Sequence, residues 1–277
     1  MPTIEIGKPP FQIGSMAALV AVLFAKGIRY STVIDVGSAD GSFFLLHWYF
    51  GIFSGATALN IDANPIYEDS LRAIKDCAGG QYVIGAASDA EGETEMTLGA
   101  HPYWSSLRGE DDRYWKQIHN LSEGRIKVRT FTIDGLAERF GLKPPYLLKL
   151  DVQGAEAGVL RGARRVLEQT DLVICEADMH DFQSLNRLMV EAGLELFDII
   201  DLHRIDDHML GWFYPVYASR RVAALKSSTL WQSRHSEQII QQQAQRRAHL
   251  LQIHAQILAE MGGGERRDKS VASSAGG

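Results

Sequence analysis

Ten residues constrain this chain more than any other stretch: Thr32-Val-Ile-Asp-Val-Gly-Ser-Ala-Asp-Gly41. A β-branched apolar run, Val33, Ile34 and Val36, reads as a buried strand. It breaks at Gly37 and Gly41 before a helical run from Ser42 to Phe50. Glycine belongs where the backbone takes φ > 0 or lets another group approach closely, and the helix start beyond it offers unpaired N–H groups. The stretch therefore predicts a strand, a tight turn and a helix start with a ligand at the turn.

The acidic residues choose the class of ligand. Dinucleotide and P-loop fingerprints set glycines, not carboxylates, against a pyrophosphate, because a nearby anion repels it. Here Asp35 lies inside the turn and Asp40 beside it, with the spacing Asp-x-Gly-x-x-x-Gly. Such a loop suits a ligand with a cationic amino-acid end and no phosphate. An ordinary strand-turn-helix corner with a capping Asp is the plain alternative. The pattern resembles the first motif of class I S-adenosylmethionine (SAM) methyltransferases, whose cofactor carries an ammonium and a sulfonium.

With 277 residues, the chain is long enough for one large α/β domain plus an appendage. A net charge of −6 advertises no nucleic-acid or anionic-membrane surface and disfavours a polyanionic substrate. Cys77 and Cys175 give neither a disulfide framework nor zinc spacing, and Cys175 reads as a small buried hydrophobe. The segment Met16 to Ala25 is too short to span a bilayer. It reads as a buried helix capped by Ser15 and ended by Lys26-Gly27. The expectation is a cytoplasmic protein with no membrane span and no nucleic-acid partner.

The domain expected over 31–225 follows a helical lead-in over 1–30. Its second apolar strand, Ala56 to Ile61, ends at Asp62, and Asp62-Ala63-Asn64-Pro65 turns into a helix from Tyr67 to Cys77. A carboxylate at the end of the second strand of a doubly wound sheet is placed to accept both hydroxyls of a ribose. Asp62 as a turn or capping residue is the alternative. Gln81 to Ala87 is a third strand; in the following loop Ser88 could bond an adenine ring and Asp89 accept from its exocyclic amine, or Asp89 is a solvated turn residue. Glu93 to Leu98 alternates and is expected to pair with Arg125 to Phe131. Between them the insertion from His101 to Trp115 is either a loop shaping an acceptor pocket or an exposed loop. A helix from Thr132 to Gly141, a buried strand from Tyr146 to Asp151, one helix carrying Val159, Leu160, Ala163 and Val166, and a strand from Asp171 to Glu176 come next. A helix over Phe182 to Ala192 and strands over Leu194 to Ile200 and Trp212 to Ala218 complete the domain. The alternation predicts an α/β fold with a doubly wound, mostly parallel, seven-stranded Rossmann-like sheet, with helices on both faces.

The succession Val-Ile-Asp-Val-Gly, Asn60-Ile-Asp-Ala-Asn-Pro65, Ala-Ala-Ser-Asp, Thr132-Ile-Asp-Gly-Leu, Leu148-Lys-Leu-Asp-Val-Gln-Gly-Ala-Glu156 and Val159-Leu-Arg-Gly-Ala163 resembles the FkbM-type SAM-dependent methyltransferases. The likeness runs from Val33 to Ile200; Gln153 stands where that pattern carries an acidic residue. It implies O-methylation of a hydroxyl on a sugar, a glycan or a natural product. It also implies S-adenosyl-L-methionine as cofactor, held by Asp35, Gly37, Ser38, Gly41, Asp62, Ala63, Ser88 and Asp89.

Methyl transfer from a sulfonium needs alignment and removal of a hydroxyl proton, not a covalent intermediate. Asp151, at the carboxyl end of the fourth strand, is the first candidate for base or acceptor-orienting group. Lys149, on the same strand face, would keep it ionised; the two could also be a plain ion pair closing the strand end. Glu156 falls in a first helical turn, where the dipole alone favours a carboxylate. Glu176 ends a buried strand and needs a partner; it is a further catalytic candidate, which with Asp151 could hold a cation or the acceptor. His180, in the loop beyond, is the candidate imidazole base. Two carboxylates without a third ligand do not make a metal site.

From Lys226 the composition turns to Gln, Arg, His and Ser. A helix with a narrow apolar stripe is expected over 226–261, packing on its own domain or pairing with another copy or a partner protein. A polar tail is expected over 262–277. Two other functions compete: a nucleotide-dependent oxidoreductase, against which the glycine spacing and Asp35 argue, and a non-catalytic binding or scaffold protein acting through the C-terminal helix.

Overall fold

The computed structural model describes residues 2–99, 101, 103, 105–107, 122–205, 208–227, 241 and 244–253. The chain divides into two compact units, 1–223 and 224–277. In the second, 244–253 are helical, with Leu250 and Leu251 exposed; Ile240, Ala255 and Leu258 of the expected stripe and the tail at 262–277 lie outside the described residues.

In the first unit, strands β1 (Thr32–Val36), β2 (Thr57–Asp62), β3 (Gln81–Ile84), β7 (Tyr146–Leu150) and β8 (Thr170–Cys175) pair in parallel, and every residue of β1, β7 and β8 is buried. Strands covered by helices on both faces read as continuous apolar runs, which is why these segments are legible in the sequence. β10 (Glu195–Ile205) and β11 (Met209–Ala218) extend the sheet, β11 running antiparallel between β8 and β10. The order is β10-β11-β8-β7-β1-β2-β3, with the short β9 (Ala177–Asp178) pairing with β11 as an eighth strand. β9 was not expected; its two residues form a strand only because β11 passes beside them.

The chain travels from β1 to one edge and returns at β7 to build the other. β1 and β7 thus flank the topological switch point, where a crevice opens at their carboxyl ends. A continuous core joins Ile34, Leu59, Leu148 and Val173 of the sheet to Ile133 and Leu136 of α4 (Ile133–Arg139), Leu160 of α5 (Glu156–Arg161), Val166 of α6 (Arg164–Leu167), and Leu185 and Met189 of α7 (Phe182–Glu191). Earlier in the chain come α1 (Met16–Ala25), α2 (Ser42–Tyr49) and α3 (Glu68–Ala78). Ser15 caps α1 by accepting from the Ala18 N–H, and Thr132 caps α4 through Gly135.

Two expectations are corrected. Gln81 to Ala87 is not one strand: it breaks at Gly85, where an added Cβ would stand 2.6 Å from the Phe131 ring and 2.9 Å from the Arg129 carbonyl oxygen. Beyond the break β4 (Ala86–Ala87) joins β6 (Ser122–Phe131), which pairs antiparallel with β5 (Gly92–Gly99) in a separate three-stranded sheet. The helix after β7 is also two pieces, α5 and α6. They part at Gly162, where the Ser88 carbonyl presses so close that any Cβ would collide with it.

Candidate active site

A cleft of about 430 Å³ opens where β1, β2 and β7 end. Gly37 follows β1 with φ +70°, and a Cβ there would overlap the Asp151 carbonyl oxygen at 1.8 Å. The glycine is thus needed twice, for its conformation and for the close passage of the chain leaving β7. Gly37 and Ser38 donate their N–H groups to the Ile61 carbonyl at 2.9 and 3.0 Å, which ties the loop to β2. Gly41, φ +76°, enters α2 where a Cβ would strike Ile74.

Asp35 and Lys149 are register partners across β1 and β7, so their side chains share one face of the sheet. Lys149 Nζ lies 3.2 Å from Asp35 Oδ1 and 3.5 Å from Asp151 Oδ2, and donates to the Gly37 carbonyl at 3.0 Å. Burial opposes its charge, but Asp35 and Asp151 outweigh burial and hold its pKa above the ordinary lysine value. Asp35 is fully buried; burial raises its pKa and Lys149 is the main opposing influence. The lysine therefore supplies inside the protein part of the positive charge that Asp35 calls for.

Asp151 is held by several neighbours and keeps part of its side chain open to the cleft. Tyr214 donates to Oδ2 at 2.9 Å and Gln153 Nε2 to Oδ1 at 3.0 Å. Burial would raise its pKa, but Lys149, Tyr214, Gln153 and a hydrogen bond from Glu176 together bring it below the usual value. Glu176 moves the opposite way, pushed far up by burial and by the Asp151 charge beside it. The two carboxyl groups titrate as a coupled pair, the charge on Asp151 disfavouring a second charge on Glu176. Gln153 Nε2 also donates to Glu176 Oε2 at 2.9 Å, so one amide spans both carboxyl groups. Gln153 sits at φ +55°, in a left-handed conformation rare outside glycine. Its turn is latched by Glu156, whose Oε1 accepts from the Val152 and Gly154 N–H groups at 3.0 and 3.1 Å. Glu156 thus shapes the loop as well as starting α5.

At the end of β2, Asp62 accepts from Asn64 N at 2.8 Å and from Ala39 N at 2.7 Å, one bond to each oxygen. Burial raises its pKa to about 6 against the pull of those bonds. Asp62 and Ala63 both line the cleft, as do Gly37 and Ser38; Gly41 stands just behind, at the helix cap. Ser88 and Asp89 do not line it. Asp89 pairs with Arg161 at 3.3 Å, and the wall there is made by Gly85, Ala86 and Ala87. His180 occupies an exposed turn outside the lining, while its neighbours Asp178 and Asp181 face the cleft.

Tyr214, Trp212, Tyr67 and Asp178 are lining residues that sequence reasoning passed over. Tyr214 lies in a strand with no local mark of a partner 63 residues away. The described part of the insertion does reach the cleft: Tyr103 donates to Asp40 Oδ2 at 3.3 Å and its ring lies 5.8 Å from that of Tyr67, and Ser106 Oγ donates to the Gln153 carbonyl at 2.7 Å. Residues 108–121, including Trp115, lie outside the described residues.

Comparison with known proteins bears on this arrangement. The family model "Methyltransferase FkbM domain" matches residues 35–205, from the aspartate of β1 to the end of β10. Hexuronic acid methyltransferase AglP of Haloferax volcanii is 33% identical over 95 residues, 34% of this chain and 39% of that protein. A crystal structure of methyltransferase FkbM from Methylobacillus flagellatus KT shows 16% identity and a TM-score of 0.42 over 67% of this chain and 43% of that one. Streptococcus pneumoniae Sp1610, a putative tRNA (m1A22) methyltransferase in complex with S-adenosyl-L-methionine, shows 9% identity and a TM-score of 0.42 over 73% of this chain and 72% of that one. The chain thus spans about two fifths of the length of the archaeal relative and of the FkbM structure. Since the matched segment takes in more than half of the chain, and with it the β1 loop, the β2 end and the Lys149–Glu156 stretch, the chain belongs to the FkbM methyltransferase domain family.

Proposed function

We propose that this protein is a SAM-dependent methyltransferase acting on a hydroxyl oxygen, with a sugar, glycan or natural-product acceptor. The observation that carries the reading is the charge of the cleft. Seven lining residues bear carboxyl groups, namely Asp40, Asp62, Asp151, Glu156, Glu176, Asp178 and Asp181, of which Glu176 is pushed toward its neutral form by burial; the cationic lining residue, Lys149, is already engaged by Asp35 and Asp151. Such walls favour a cationic ligand and repel phosphate. The residues fit SAM. Gly37 and Ser38 line the cleft at the β1 turn, Asp62 keeps acceptor sites for a ribose diol beyond its two backbone bonds, and Ala86, Ala87 and Met96 offer an apolar wall to a flat base.

Bound SAM supplies a methyl group made electrophilic by a sulfonium. The chain does the rest. Asp151, kept ionised by Lys149, receives the acceptor hydroxyl at its carboxylate and takes the proton, while Tyr214 and Gln153 fix its orientation. A sugar acceptor draws support from the FkbM family and from the hexuronic acid for which the Haloferax volcanii relative is named.

Calorimetric titration with SAM and with NAD tests the reading. Micromolar SAM binding, weakened by Asp62→Ala, with no heat from NAD, is the expected outcome. Absence of SAM binding refutes it.

A further inference from the structure

Resting on the methyltransferase reading, we infer that the acceptor end of this cleft takes an uncharged saccharide and rejects one bearing a carboxylate. The surface concerned lies beyond Asp151, on the β9–β11 side. Trp212 and Asp178 are register partners, so their side chains leave the same face of the sheet, and Tyr214, two residues on from Trp212, shares that face. Trp212 is 39% exposed, and its ring is held at 14° to His203 with centroids 4.8 Å apart. It offers an oriented apolar plane on which the C–H face of a sugar ring can lie. Asp178 Oδ1 accepts the His180 and Asp181 N–H groups at 2.7 and 2.9 Å, which fixes the carboxylate, and Oδ2 takes neither bond. Asp181 lines the cleft beside it, and Asp151, ionised beside Lys149, closes the inner end. Carboxylate oxygens are acceptors only; they suit sugar hydroxyls and repel a second carboxylate. The Haloferax volcanii relative is named for a hexuronic acid; the acceptor inferred here carries no charge.

The test is saturation-transfer NMR with matched methyl glycosides of glucose and glucuronic acid, galactose and galacturonic acid, in the presence of S-adenosylhomocysteine. At least one neutral glycoside should bind ten times more tightly, or more, than its uronic counterpart. Trp212→Ala should abolish its signal while Trp212→Phe keeps it, and the pair Asp178→Asn with Asp181→Asn should narrow the discrimination at least threefold. Equal or tighter binding of the uronic acid overturns the inference, and so does silence from every neutral glycoside. A SAM titration on the same sample separates the two claims. SAM binding with either overturning result removes only the acceptor assignment; no SAM binding removes the methyltransferase reading.

Discussion

Replacing Lys149 by methionine isolates the ionic centre of the site. The substitution keeps an unbranched apolar stem, one atom shorter, and removes the charge that faces Asp35 at 3.2 Å and Asp151 at 3.5 Å. Asp35 is then a fully buried carboxyl group with no cation. Breaking a buried pair from one side costs about 3–5 kcal/mol when the remaining charge stays ionised. Asp35 can escape part of that cost by taking up a proton, because Lys149 is the largest influence now holding its pKa down. Its native pKa then rises further above the unfolded value, so the folded state binds the extra proton. Stability must fall as pH rises, by up to about 1.4 kcal/mol per pH unit, from near the unfolded carboxyl pKa upward until the raised native value is passed. The assay is urea unfolding of Lys149→Met and wild type at pH 5 and pH 8. We expect the deficit of the variant to be larger at pH 8 by about 2 kcal/mol or more, and Asp35→Asn in the same background to reduce that pH dependence, the remainder belonging to Asp151. A deficit below about 1 kcal/mol at both pH values would show that Lys149 is not the counter-charge of Asp35 and would refute the reasoning.

Three further outcomes follow from the same geometry. His47 is buried with Nδ1 2.7 Å from the Phe43 carbonyl, and burial lowers its pKa to about 4. It stays neutral in the fold while the unfolded chain takes a proton below pH 6.5, so stability drops as pH falls from 6.5 to 4, by at most about 3 kcal/mol, and His47→Leu should flatten that slope in denaturant titrations. Gly37→Ala combines a left-handed φ with overlap on the Asp151 carbonyl, and should cost about 3 kcal/mol or more, read as a fall in Tm of ~10 °C; an unchanged Tm would mean the β1–β7 approach is looser than described. Asp151→Asn should retain SAM affinity within a few-fold and lose at least a hundredfold in methyl transfer to whichever acceptor is identified, whereas activity within tenfold of wild type would exclude Asp151 as the proton acceptor.

Local chemistry made much of the molecule legible in advance. The apolar runs of β1, β7 and β8 signal strands buried on both sides, and Ser15 and Thr132 mark helix starts because a hydroxyl must satisfy exposed N–H groups. Gly37 and Asp62 declare themselves by position, at strand ends beside turns. The breaks at Gly85 and Gly162 do not, since each glycine is required by a distant group, Phe131 in one case and Ser88 in the other. The same holds for Ser88 and Asp89: their place after a strand suggests a ligand, yet Arg161, 72 residues from Asp89, takes up the carboxylate.

What the order of residues determined alone is the alternation of strands and helices, the switch-point loop and the family, because these depend on neighbours within a few positions and on short spaced motifs. Only tertiary structure decided the state of the charges. Lys149 lies between Asp35 and Asp151, Gln153 bridges Asp151 to Glu176, and Tyr214 reaches Asp151 from a strand built 63 residues later. A carboxyl group's proton depends on burial and on whatever lies within a few ångströms, and neither quantity exists until the sheet brings its strand ends together.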